Sequence, residues 1–209
     1  LLVSTTPIWT AAYDAVVHRR ALPKPAIAAF VAGALGLMAI VWYDRTPAPH
    51  RGLEGFGDGL ALAGALAFGA YLLLVRNVRA RLDTRTIVTQ TYSWAALALV
   101  LAAAVMRQPP PPFSATAAWG GILAMALVSQ LLGHTAINAA LRWFSPSAVA
   151  FASLLEPVFA AGLALVIFGE SIPLPALLGG AVVLGSIGVV LWTDPEPELA
   201  QSASKGLSK

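Results

Sequence analysis

The fold class predicted is an all-α integral membrane protein, and three observations predict it. Of 209 residues, 58% are hydrophobic and only 11% charged, whereas a soluble domain carries about 25% charged residues. The apolar residues gather into long runs, with a mean hydropathy of +0.76. Segments 150 residues apart also repeat one another, with prolines in register.

A helix needs about 20 apolar residues to cross the hydrocarbon core, with a range of about 17–25. Seven runs qualify: 1–17, 25–42, 59–75, 87–106, 117–141, 146–168 and 173–192. The first and third are short. Their length makes them helices, since barrel strands are about ten residues long with strict alternation. The longest connection is 43–58, and Pro109–Pro112 between the fourth and fifth runs favours an extended, exposed connector. The polar stretch 195–209 reads as a disordered tail.

The chain starts at Leu1 inside an apolar stretch, without an initiator Met or the basic n-region of a signal peptide. The expectation is a missing N-terminal part. Alternating spans sort the thirteen Lys and Arg residues ten to three. Arg19, Arg20, Lys24, Arg76, Arg79, Arg81, Arg85, Arg142, Lys205 and Lys209 share one side; Arg45, Arg51 and Arg107 share the other. Such a bias marks the richer side as cytoplasmic. The expectation is a multi-pass inner-membrane protein with a cytoplasmic C-terminus. The basic residues thus read as topology signals, and no nucleic-acid partner is expected. With no cysteine, disulfides and thiolate metal sites are excluded; no cofactor or metal is expected.

The repeat carries the most information. A shift of 150 brings Pro7 onto Pro157, Pro23 onto Pro173, Pro25 onto Pro175, Trp42 onto Trp192 and Asp44 onto Asp194. The copies lie five spans apart, and an odd number inserts them in opposite senses. Inverted repeats are characteristic of secondary transporters, whose substrate sites lie near the midplane between repeats. The seven helices then belong to a ten-helix, five-plus-five inverted repeat. Residues 1–44 are the last two helices of the first copy, 45–58 an extracytoplasmic connector, 59–194 the complete second copy, and 195–209 the cytoplasmic tail.

Leu154-Leu155-Glu156-Pro157-Val158-Phe159-Ala160-Ala161, followed by Phe168-Gly169-Glu170, resembles the signature of EamA-like transporters of the drug/metabolite superfamily. Gly133-His134-Thr135-Ala136-Ile137-Asn138-Ala139-Ala140-Leu141 is similar to the segment leading into it. In the first copy Thr6 stands in place of the glutamate and Arg19-Arg20 in place of Gly-Glu. The resemblance implies ten helices and gradient-driven or exchange transport of amino acids, their derivatives, nucleotide precursors or drugs. No GxxxxGK[ST] loop for ATP occurs. Export is the direction expected, with a small-molecule substrate and the lipid bilayer as partners; a homodimer is left open.

Ionisable and polar groups inside a membrane are costly, which makes them functional candidates. Gln130, His134 and Asn138 are four apart, on one helix face. They suit a polar cavity for a zwitterionic substrate, or equally hydrogen bonding between helices. Glu156 lies about ten residues into its run, directly before Pro157, which removes a backbone donor and loosens the preceding turn. A carboxylate beside freed carbonyls suits an ammonium group. Pro7 and Pro157 are the expected hinges, and Trp9 and Tyr71 the expected aromatic walls. Asp14 either reaches Arg19 or Arg20 or faces the cavity. Thr89 and Gln90 read as caps of the fourth span. Ala32-xxx-Gly36 and Ala181-xxx-Gly185 are expected close-contact pairs.

A membrane enzyme would need HExxH, a His/Asp metal set or a GxSxG elbow. None is present, so no enzyme is expected. A non-transporting structural or assembly protein is the alternative, although it needs neither an inverted repeat nor a midplane carboxylate.

Overall fold

A computed structural model describes residues 2–17, 23–43, 54–79 and 81–194. After a 3-10 turn at Val3–Thr5 come α1 (Thr6–Val17), α2 (Lys24–Tyr43), α3 (Glu54–Val78), α4 (Thr84–Val105) and α5 (Thr116–Ala124). A π-helical segment, Met125–His134, continues α5 into α6 (Thr135–Ala140). α7 (Pro146–Ala152), α8 (Leu155–Phe168) and α9 (Leu174–Thr193) follow.

Local chemistry explains where these helices start and stop. The Asp83 carboxylate accepts the Thr86 N–H at 3.0 Å and caps α4. Bonding to Thr86 holds that carboxyl below the usual range. Thr89 and Gln90, expected as the caps, stand further into α4 and line a cavity of about 420 Å³ with Asp83, Arg85 and Thr86. α4 ends with Arg107 at φ 53. The Gln108 N–H bonds the Ala103 carbonyl at 2.9 Å and the Arg107 N–H that of Ala104 at 3.2 Å, the paired pattern of a Schellman ending. Ser145 caps α7 through Ala148 N–H, at 3.1 Å, with Pro146 in the first turn where its missing donor costs nothing. Gly169 closes α8 at φ 69, its N–H on the Leu165 carbonyl. The glycine of the Gly-Glu pair therefore terminates a helix.

Five helical stretches among the described residues are long and apolar enough to cross a membrane: Phe56–Val78, Thr84–Val105, Thr116–Ala140, Pro146–Phe168 and Leu174–Thr193. The sequence predicts seven. The difference lies in the first two runs. α1 has 12 residues and rises roughly 18 Å, against about 30 Å of hydrocarbon. α2 has 20 residues, Lys24–Tyr43, a rise of roughly 30 Å that equals the thickness of the hydrocarbon, and its stretch Lys24–Ile40 is apolar. α3 begins at Glu54, inside the stretch assigned to the connector. The tail 195–209 and the connector residues 45–53 lie outside the described residues.

The chain divides into two compact units, Leu1–Leu74 with Trp143–Lys209, and Val75–Arg142. The first is built around α2, α7 and α9. Ala29, Leu37, Ala148, Phe151, Leu154, Val183, Ile187 and Val190 form its buried cluster, and Phe30 stacks on Phe151 at 4.3 Å. α2 and α9 run antiparallel, since Gly33 faces Ser186 while Gly36 and Ile40 face Gly179. A methyl on Gly36 would lie 2.6 Å from the Gly179 carbonyl oxygen, and one on Gly179 would lie 2.5 Å from that of Gly36. Two backbones touch at that crossing, so only glycine fits. Gly36 belongs to an expected pair, but Gly185 does not meet a neighbour. Gly179, Val183 and Ser186 form the contacting face of α9 instead.

The second unit pairs α4 with the α5–α6 stretch. Its α4–α5 loop has no regular secondary structure at Pro109–Pro112, which are mostly exposed. The loop is tied back by Trp119, whose indole N–H donates to the Pro112 carbonyl at 3.3 Å, and by Phe113 stacked on Trp119.

Candidate functional site

In the second unit, Gln130 stands near the middle of the Thr116–Ala140 span, inside the π-helical segment. π-Winding is rare and concentrates at functional sites. It ends at Thr135, whose N–H turns to the Leu132 carbonyl. There the Gln130 carbonyl takes the Tyr92 hydroxyl of α4 at 2.7 Å, and the same hydroxyl lies 3.3 Å from Thr135 Oγ1. One phenol thus satisfies a carbonyl at membrane depth, where an unmet backbone group costs several kcal/mol, about 2–7 depending on reference state.

The polar stripe keeps one face despite the change of winding. Gln130 and His134 are half-buried and Asn138 is fully buried, while Leu131, Leu132 and Gly133 are exposed. Asn138 spends one amide N–H on the His134 carbonyl at 2.8 Å, tying the last two members of the stripe together.

The first unit holds the other expected residues. Pro7 is buried in the first turn of α1, and Trp9 is partly exposed, with its indole N–H on Thr5 Oγ1 at 3.1 Å. Tyr71 is half-buried and stacked on Phe68 of its own helix, 6.3 Å between ring centroids. Thr6, at the repeat position of Glu156, is buried, and its hydroxyl reaches the Ala65 carbonyl at 3.2 Å. Thr6 and Thr10 are the side chains nearest Gly69 of α3, so four-residue spacing on both helices makes a small-residue contact.

Glu156 is exposed in the first turn of α8. The span that carries it is broken at Ser153–Leu154, where Pro157 removes a donor from the ladder. The Ser153 carbonyl, four residues before Pro157, is instead taken by the Glu156 N–H at 3.0 Å, and Ser153 Oγ covers the Ala150 carbonyl at 2.6 Å. Glu156 thus sits on an irregular turn, as its proline predicts.

Asp14 accepts a hydrogen bond from Ser147 Oγ at 3.0 Å, linking α1 to α7. Arg19 and Arg20, its expected partners, lie outside the described residues. Asp194 takes both the N–H and the hydroxyl of Ser145, tying the end of α9 to the start of α7. These two serine–aspartate links and Tyr92 are polar anchors that the sequence reading missed. Tyr92 carried a signal, since a phenol in an apolar helix needs an acceptor. The serines carried none beyond a capping position before Pro146. Among the described residues no group of three His, Asp or Glu side chains is placed to hold a metal.

The stripe belongs to one unit and the Glu156 turn, Trp9 and Tyr71 to the other. The model of one protein family, the EamA-like transporter family, matches residues 55–192. Searches among curated proteins and among solved structures gave no match.

Proposed function

Since the chain belongs to the EamA-like transporter family, a family of multi-pass membrane transporters, we propose that it is a secondary transporter exporting small zwitterionic metabolites, such as amino acids or drugs, across the cytoplasmic membrane. The observation that carries the reading is the π-helical segment with Gln130 and His134 inside an otherwise apolar span. Irregular helix at membrane depth is tolerated where it is buried in protein or lines a water-filled cavity. In transporters such interruptions supply the backbone and side-chain groups that hold polar substrates.

In this reading Gln130, His134 and Asn138 hydrogen-bond a polar substrate within the second unit. In the first unit Glu156, on its loosened turn, is suited to an ammonium group and Trp9 and Tyr71 to an apolar moiety, and Pro7 and Pro157 mark where helices flex between the two access states. Energy comes from a solute or ion gradient.

The test is flux of radiolabelled amino acids and drugs into vesicles holding the full-length protein, with Glu156→Gln and His134→Ala alongside. Loss of one hydrogen-bonded contact worth about 1.4 kcal/mol lowers flux at subsaturating substrate about tenfold. Flux lost in both variants at unchanged expression supports the assignment. Flux kept in both returns these side chains to helix packing. No flux from the unaltered protein across a broad panel favours the structural alternative.

A further inference from the structure

We propose that Tyr92 is a positioning residue of the transport site: its hydroxyl holds the π segment that brings Gln130 into line with His134 and Asn138. The role in transport rests on the transporter reading of this polar stripe, whereas the link between Tyr92 and the direction of the Gln130 side chain does not.

Winding decides whether the three side chains share one line. An α-helix turns about 100° per residue, so each step of four overshoots a full turn by about 40°. In unbroken α-winding Gln130 and Asn138, two such steps apart, would diverge by about 80°. A π-helix bonds five residues back and packs more residues into a turn, so a step of four falls short of a full turn. Met125–His134 is π-wound and Thr135–Ala140 is α-wound. The step from Gln130 to His134 therefore turns back what the step from His134 to Asn138 turns forward, and the stripe runs straight along the helix. Gln130, His134 and Asn138 are withdrawn from the surface along that line, beside exposed Leu131 and Leu132.

The end of a π segment needs a donor from elsewhere. Where bonding changes from five residues back to four, a carbonyl is passed over. Five-back geometry still holds at Gly133, where a methyl would lie 3.6 Å from the Val128 carbonyl oxygen. Gln130 is the residue passed over, because the N–H five positions on, that of Thr135, turns to the Leu132 carbonyl. The Tyr92 hydroxyl of α4 donates to the Gln130 carbonyl at 2.7 Å and lies 3.3 Å from Thr135 Oγ1 across the same junction. Without that donor the carbonyl would be satisfied by a return to α-winding, since a backbone group at membrane depth must find a partner within the protein. That return swings the Gln130 side chain off the line. Tyr92 thus acts on the substrate through Gln130 and does not touch it.

Two readouts on the full-length protein test this. The chain has no cysteine, so Gln130→Cys supplies a single thiol while leaving the backbone carbonyl for Tyr92. Its labelling by a small water-soluble methanethiosulfonate should change severalfold when Tyr92→Phe is added, whereas Ser114→Cys in the α4–α5 loop should label equally in both backgrounds. In vesicles, Tyr92→Phe should raise the amino-acid concentration for half-maximal flux about fivefold, the worth of one hydrogen-bonded contact, and leave the maximum nearly unchanged. Gln130→Leu should do the same, and Tyr92→Phe added to Gln130→Leu should cost nothing more, because both act on one contact. A Tyr92 that only stabilises the helix would lower maximal flux and add its loss to that of Gln130→Leu, which overturns the proposal. An unchanged labelling rate at Gln130→Cys overturns it whether or not the protein transports. A changed rate with no flux from the unaltered protein upholds the link from Tyr92 to Gln130 and removes the transporter reading instead. If Tyr92→Phe does not fold, Tyr92→Met, which also lacks the donor, takes its place in both readouts.

Discussion

Tyr92 shows how one side chain can decide the geometry of a membrane helix. Its hydroxyl occupies the Gln130 carbonyl where π-winding gives way to α-winding. Tyr92→Phe removes that donor and nothing else. Polar contacts between membrane helices contribute about 0.6–2 kcal/mol, so the variant should lose about 1 kcal/mol of stability. Hydrogen exchange should quicken at residues 130–135 ahead of the rest of the unit. An unchanged exchange pattern would show that the π segment holds itself. The four-residue spacing of Gln130, His134 and Asn138 was legible in the sequence because helical periodicity alone puts them on one face. The π-winding beneath them was not, because Met125–His134 reads as an ordinary apolar helix. The partners of Asp14 and Asp194 were equally hidden, since each lies more than a hundred residues or a whole helix away, and tertiary packing alone brings the serines to them.

At the scale of elements, the crossing of α2 and α9 sets the first unit. The small-residue spacing on these two helices picks out Gly36, which lies at the crossing, and Gly185, which does not. Spacing identifies which positions are small, whereas the contact depends on how the partner rotates about its axis. Gly36 meets Gly179, and Gly185 meets nothing. Gly179→Ala should therefore force the backbones apart and cost about 1–3 kcal/mol, the usual penalty of overpacking. Gly185→Ala should stabilise slightly, by up to about 1 kcal/mol, through helix propensity alone. Melting of both variants in one detergent decides between the faces, and equal effects would contradict this crossing. The Glu156 turn was easier to read. Proline at position 157 dictates a lost donor wherever the helix packs, and the break at Ser153–Leu154 lies within one turn of it.

For the whole molecule, composition and run length were enough to place the chain in a bilayer. They count seven runs, and five of them are described stretches long and apolar enough to span; the other two hold α1, whose described α-helix is Thr6–Val17, and the 20-residue α2. Orientation is a separate matter, resting on the ten-to-three division of Lys and Arg. A positive-inside bias of this size should put the α3–α4 turn in the cytoplasm and the α4–α5 loop outside. α4 separates them with 22 residues, roughly 33 Å at 1.5 Å per residue and enough to cross about 30 Å of hydrocarbon. Because the chain has no cysteine, single introduced thiols report position without background. Arg81→Cys and Ser114→Cys both replace exposed residues on these two connections. In intact cells a membrane-impermeant maleimide should label Ser114→Cys at once and Arg81→Cys only after permeabilisation. Reversed labelling would invert the orientation and turn the assigned direction of transport with it. Labelling of both from outside would mean that α4 does not span the membrane, against its length, its apolar composition and the family match that includes it.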